Sequence, residues 1–143
     1  MKRSTRRTFI GSSAAAAGAV LGSNTSFGAI SADPQRPPVV HHVFFWLKNP
    51  ASNEDRDQLV AGLKTLAGIP LIKELYVGIL AATEKRDVVD ASWQVSELMF
   101  FHDLEAQASY QQHPIHVDFV KNYSHLWEKV IVYDTMNLFS RIG

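Results

Sequence analysis

Tyr110, His113 and His116 fall within seven residues, in the stretch YQQHPIHVDF, and Pro114 separates the two histidines. Histidine titrates closest to neutrality and can remove a proton from carbon beside a carbonyl group. A tyrosine hydroxyl can donate a hydrogen bond to the oxyanion that then develops. The pair fits acid–base chemistry of the cyclase, lyase or isomerase kind, with Tyr110 and His116 as catalytic residues and no cofactor. In one uninterrupted helix, positions 110 and 116 would stand about 600° of rotation apart and would not stack. The break at Pro114 is what can fold both side chains onto one site. A structural reading competes: a hydroxyl and an imidazole at a helical elbow can satisfy backbone groups freed by the break.

His113 and His116 are three apart, a spacing that invites a metal ion. Only two ligands are local, however, and no carboxylate at suitable spacing supplies a third, so no metal is expected. His41, at a strand start, can line the pocket from the sheet side or bond to a neighbouring strand. Asp134 can orient a histidine across the fold or cap a backbone group. Phe44, Trp46, Trp93 and Phe101 are an aromatic set that suits a cavity wall, a core or a seam between chains. The candidate substrate pocket therefore comprises His41, His113, Phe44, Trp46 and Asp134 around Tyr110 and His116. The sequence has no nucleophile elbow and no phosphate-cradling loop. It has no cysteine, which excludes disulfides, thiolate nucleophiles and iron–sulfur sites.

The elements that must position these residues can be read in order. VVHHVFFWLK, Val39 to Lys48, is dense in β-branched and aromatic residues and predicts a first strand. NPASNEDRDQLVAGLKTLAGIP predicts a helix capped by Ser52 or Asn53, with Leu59, Leu63 and Leu66 on one side and Gly68 and Pro70 as its stop. LIKELYVGIL predicts a second strand, AATEKRDVVDAS a charged connection, and Trp93 to Phe101 a third strand. HDLEAQASYQQH predicts a helix capped by Asp103. Pro114 suits the first position of the next helix, which should run to about Leu126. EKVIVYDTMNLF predicts the last strand. The order is strand, helix, strand, strand, helix, helix, strand. It implies a split β-α-β arrangement of the α+β class: a four-stranded antiparallel sheet with helices on one face.

Alternation along the first strand sends His41, Val43, Phe45 and Leu47 one way and His42, Phe44 and Trp46 the other. Both faces are apolar, yet the helices can cover only one. A second copy of the chain is the economical cover, so a homodimer is expected. With 143 residues, 46% of them hydrophobic, the chain suits one domain. Its net charge of zero is unevenly placed. Four of the 14 basic residues, Lys2, Arg3, Arg6 and Arg7, precede Ser31 with no acid among them, leaving ten basic against 14 acidic side chains. A mildly acidic domain without a basic stripe argues against a nucleic-acid partner.

MKRSTRRTFIGSSAAAAGAVLGS has a basic start and a modest Ala- and Gly-rich apolar run, the pattern of a targeting segment. Arg6 and Arg7 with Phe9 and Ile10 resemble a bacterial twin-arginine export signal. The expectation is a signal peptide over 1–31, cleaved between Gly28 and Ala32, then a polar leader over 32–38 and a domain over 39–140. The mature protein would be periplasmic, or otherwise exported, without a membrane anchor.

HHVFFWLK, GIPLIKELYVG, FFHDLEAQASYQQHPIHVDFVKN and LWEKVIVYD together resemble the stress-responsive A/B barrel family. The likeness runs from Val40 to Asp134, and the tyrosine, His-Pro, histidine and phenylalanine of the elbow are its most distinctive part. The resemblance implies a ferredoxin-like protomer whose sheet pairs with another in a dimeric α/β barrel. It does not imply one activity. In the family's plant polyketide cyclase, the catalytic tyrosine and histidine match Tyr110 and His116. That enzyme has a further histidine in its third strand, where this chain reads WQVSELMFF. The pair carries over but the substrate does not, leaving a small aromatic or polyketide-like molecule as the implied ligand. The alternative is a non-catalytic dimeric structural or stress-response protein.

Overall fold

VVHHVFFWL forms strand β1 (Val39–Leu47), as its β-branched and aromatic side chains favour a pleated surface. The structure, a computed structural model, describes residues 38–141. The expected signal peptide over 1–31 and the leader up to residue 37 lie outside the described residues.

After β1 come α1 (Asn53–Thr65) with a 3₁₀ turn (Leu66–Gly68), β2 (Ile72–Ile79), β3 (Val95–Phe101), α2 (Leu104–Gln112) and α3 (Pro114–Tyr123). A second 3₁₀ turn (Ser124–Leu126) leads into β4 (Trp127–Met136). The strands form one antiparallel sheet in the order β2-β3-β1-β4. β1 and β3 are thus central, and both alternate strictly between buried and half-buried residues. Side chains of one strand alternate between faces, and the register aligns His41 with Met99 and Asp134, and Val43 with Glu97 and Val132.

The helices cover the face bearing Val39, Val43, Phe45, Val95, Met99 and Phe101. Leu59, Leu63 and Leu66 complete that core from α1 and its turn, and Tyr110, Phe119 and Leu126 from the later helices. α1 starts where Ser52 Oγ accepts the Asp55 amide at 3.1 Å. Its Gly62 lies against the Tyr123 ring of α3, so close that an added Cβ would stand 2.7 Å from ring carbons. Asp103 caps α2, accepting the Ala106 amide at 2.7 Å.

The opposite face carries Phe44 near Trp93 and Tyr133, with ring centroids 5.0 and 6.0 Å away. Lys129 Nζ sits 4.5 Å above the Trp46 ring on the same face. Phe44 and Trp46, expected in the pocket with Tyr110, therefore line a separate hollow with Asp90. Strand alternation is the reason: residues one position from His41, Val43 and Phe45 must point the other way.

Candidate functional site

Pro114 disfavours helical backbone at the residue before it, and His113 accordingly adopts φ −63° and ψ 136°. This extended residue ends α2 and starts α3. Its Nδ1 accepts the Ile115 amide at 3.2 Å, so the His113 side chain caps the new helix. It does not line the cavity described below, and its expected pocket role gives way to this capping bond.

The turn brings the Tyr110 and His116 rings together, with centroids 4.5 Å apart. Tyr110 is buried, 1% exposed, and its ring also meets Phe101 at 5.1 Å and His41 at 5.8 Å. His116 is half-buried, and its Nδ1–H donates to the Gln111 carbonyl at 3.0 Å. That bond fixes the tautomer and leaves Nε2 with a lone pair in the neutral ring. Burial lowers the His116 pKa, the Gln111 carbonyl opposes the shift, and His41 adds to it. The imidazole is therefore uncharged at neutral pH, with its Nε2 lone pair free.

His41 enters from β1. Its Nδ1 and Asp134 Oδ1 are 2.5 Å apart across the β1–β4 pair. The carboxylate accepts a hydrogen bond from Nδ1–H and holds the ring in place, one of the two roles the sequence allowed for Asp134.

His41, Tyr110 and His116 border a cavity of about 180 Å³ between the sheet and the α2–α3 elbow; Asp134, expected in the pocket, does not line it and meets it only through its bond to His41. Val43 and Phe45 of β1, Phe119 of α3 and Trp127 of β4 supply apolar walls, and the exposed Val120, Val130 and Val132 form its rim. Among the described residues, no group of three or more His, Cys, Asp or Glu side chains is placed to hold a metal ion.

Glu97 of β3 also lines the cavity, although the expected pocket did not include it. It is 3% exposed, and its Oε2 has no hydrogen-bond partner. Desolvation pushes its carboxyl up to about 8, so it is mostly protonated at pH 7. Burial first, and then any negative charge on Glu97, raise the Tyr110 pKa, so the phenol keeps its proton. The sequence did hold a signal. In VSELMFF, Glu97 shares its alternation with Val95, Met99 and Phe101, the buried set of that strand.

The model of the stress responsive A/B barrel domain matches residues 39–137, well over half of the sequence. The chain belongs to this family. Solved structures share the barrel protomer's fold. An A/B barrel family protein with a ferredoxin-like fold from Mesorhizobium loti MAFF303099 has a TM-score of 0.55 and 24% identity, covering 76% of this chain and 100% of that one. A dimeric ferredoxin-like protein from Bacteroides fragilis NCTC 9343 has a TM-score of 0.55 and 22% identity, covering 68% and 94%. The hydroxynitrile lyase of Passiflora edulis has a TM-score of 0.54 and 24% identity, covering 70% and 94%. The A/B barrel domain is thus α+β and ferredoxin-like. No curated protein sequence matches the chain.

Proposed function

We propose that this A/B barrel protein binds a small organic molecule and carries out cofactor-free acid–base chemistry on it at Tyr110 and His116. One observation carries the reading: a histidine, anchored through Nδ1, lies beside a buried tyrosine at a cavity of about 180 Å³. An engineered apolar cavity of roughly 150 Å³ takes up benzene, so a ring-sized ligand fits this space. A long polyketide chain would have to extend past the valine rim. His116 Nε2 would remove a proton beside a carbonyl group while the Tyr110 hydroxyl donates to the carbonyl oxygen, and the proton would return from the imidazolium to the product. A named hydroxynitrile lyase of the same fold agrees with that class of chemistry.

The protein acts, in this reading, as an exported homodimer. The twin-arginine-like start supports export. On the sheet face without helices, Val40, Phe44, Leu98, Phe100 and Ile131 are only half-buried within one protomer, and Tyr133 is 57% exposed. Such a face suits a self-complementary two-fold contact, and the neighbour from Bacteroides fragilis is described as dimeric.

A second reading has its own observation. The His116–Gln111 bond satisfies a carbonyl near the end of α2, which a purely structural elbow also requires. Native mass spectrometry of protein recovered from the periplasm separates the two. A shortened chain, dimeric and carrying one extra small mass per protomer, is expected. An uncleaved chain, a monomer or a ligand-free dimer would each contradict the part of the proposal it concerns.

A further inference from the structure

Glu97 is a buried polar group at the cavity that the Tyr110–His116 chemistry leaves unused. It sits at the middle of β3, paired with Val43 of β1 and Val77 of β2, and points into the helix-covered side of the sheet. Side chains buried to this degree nearly always have hydrogen-bond partners. Glu97 Oε2 has none.

The groups around it explain what it can do. β2 presents Leu75, Val77 and Ile79 on that face, all uncharged. β1 presents His41, already bonded to Asp134 of β4. α2 presents the Tyr110 phenol, and α3 presents His116. No lysine or arginine lines the cavity, and among the described residues Glu97 makes no ion pair. A buried carboxyl without a cation is held as the neutral acid, which has an O–H to donate.

We propose that Glu97 is a ligand-binding residue of this cavity, where its unpaired carboxyl hydrogen-bonds the oxygen of a small, uncharged, ring-sized carbonyl compound alongside the Tyr110 hydroxyl. The assignment rests on the cavity being a small-molecule site. It adds the ligand's chemical class and a third group that contacts it. Two neutral donors, one carboxylic and one phenolic, suit an oxygen on which negative charge builds. The lone pair of His116 Nε2 suits a C–H beside that carbonyl. An anion would lack a cation here, and its charge would be desolvated by the apolar walls.

The test uses the full chain and three probes of equal ring size: acetophenone labelled with ¹³C at the carbonyl, benzoate and benzylammonium. Binding is read by calorimetry, and the bound carbonyl by its infrared stretch. Acetophenone should bind the wild type in preference to both ions, with its stretch lowered relative to water. Glu97→Leu should weaken that binding about tenfold or more and move the stretch back up. Glu97→Gln, which keeps a donor and the side-chain shape, should restore part of both. Thermal unfolding of each variant checks that it folds, and Glu97→Gln carries the test if Glu97→Leu does not.

Unchanged affinity and stretch in the Glu97 variants, together with loss of binding in Tyr110→Phe, would overturn the Glu97 assignment alone. Preference for benzylammonium would show Glu97 acting as a carboxylate and would overturn the neutral-carbonyl class. Failure of all three probes to bind the wild type would overturn this assignment and the small-molecule reading together.

Discussion

Glu97 sets how the folded protein responds to pH. Its carboxyl ionises near 8 in the fold, against 4.5 in an unfolded chain. Between these values the folded state holds a proton that the unfolded state has lost. The Glu97 contribution to stability is therefore greatest below about 4.5, falls by up to about 1.4 kcal/mol per pH unit through that window, and levels off above it. His116 acts in the opposite sense. Its lowered pKa means that stability is lost as pH drops below 6.5, where the unfolded chain takes up the proton first. Urea unfolding of wild type and Glu97→Gln at about pH 5 and about pH 8 isolates the glutamate. The wild type should lose more stability than the variant between the two; equal losses would contradict a buried, protonated Glu97. Removing the orphaned oxygen altogether should help the fold, so Glu97→Leu should unfold at a higher temperature, by about 1–3 kcal/mol of stability at neutral pH. That Tyr110, His116 and His41 could meet at one cavity, with Asp134 bonded to His41, was legible in the sequence because their elements could be placed. Glu97 was missed because a strand glutamate reads as solvent-facing until its register with Val43 is known. Phe44 and Trp46 were grouped with the site by aromatic type, although alternation places them on the other face.

At the scale of elements, caps and breakers carried most of the information. Ser52, Asp103 and Pro114 start their helices as their side chains dictate. Ends were less legible where tertiary bonds decide them. β3 begins at Val95 rather than Trp93, because Gln94 Oε1 takes the Leu47 amide and the Trp93 indole donates to the Asp90 carbonyl. β4 stops at Met136 because its partner Val39 is the first residue of β1. The last three residues expected in α3 tighten instead into a 3₁₀ turn. Contact between α1 and α3 rests on Gly62, which admits the Tyr123 ring. Gly62→Ala gains helix propensity but drives a methyl into that ring. It should destabilise the domain by about 1–3 kcal/mol, measured by urea unfolding; a stabilised variant would show that the two helices separate freely.

For the whole molecule, the apolar sheet face is the feature that asks for a partner. A charge at its centre is the direct probe. Phe44→Asp should convert a dimer to a monomer by sedimentation at micromolar concentration, since an unpaired carboxylate would be buried in the contact. An unchanged dimer would place the interface elsewhere. The α+β architecture was legible from the order of the elements, and the apolar character of the second sheet face from alternation in β1. The cavity was not, because its size and lining depend on how β4, α2 and α3 close over the sheet, and no local pattern encodes that. Among the described residues no helix is long and apolar enough to cross a membrane.

Proton removal by His116 is the step on which the proposed chemistry stands. Exchange of the methyl protons of acetophenone for deuterium in heavy water, followed by NMR, reads that step directly. The wild type should accelerate exchange, and His116→Ala should lose about 10²-fold or more of the acceleration while still folding. Exchange at the background rate with wild type, or an equal rate with His116→Ala, would contradict the assignment of His116 as the base.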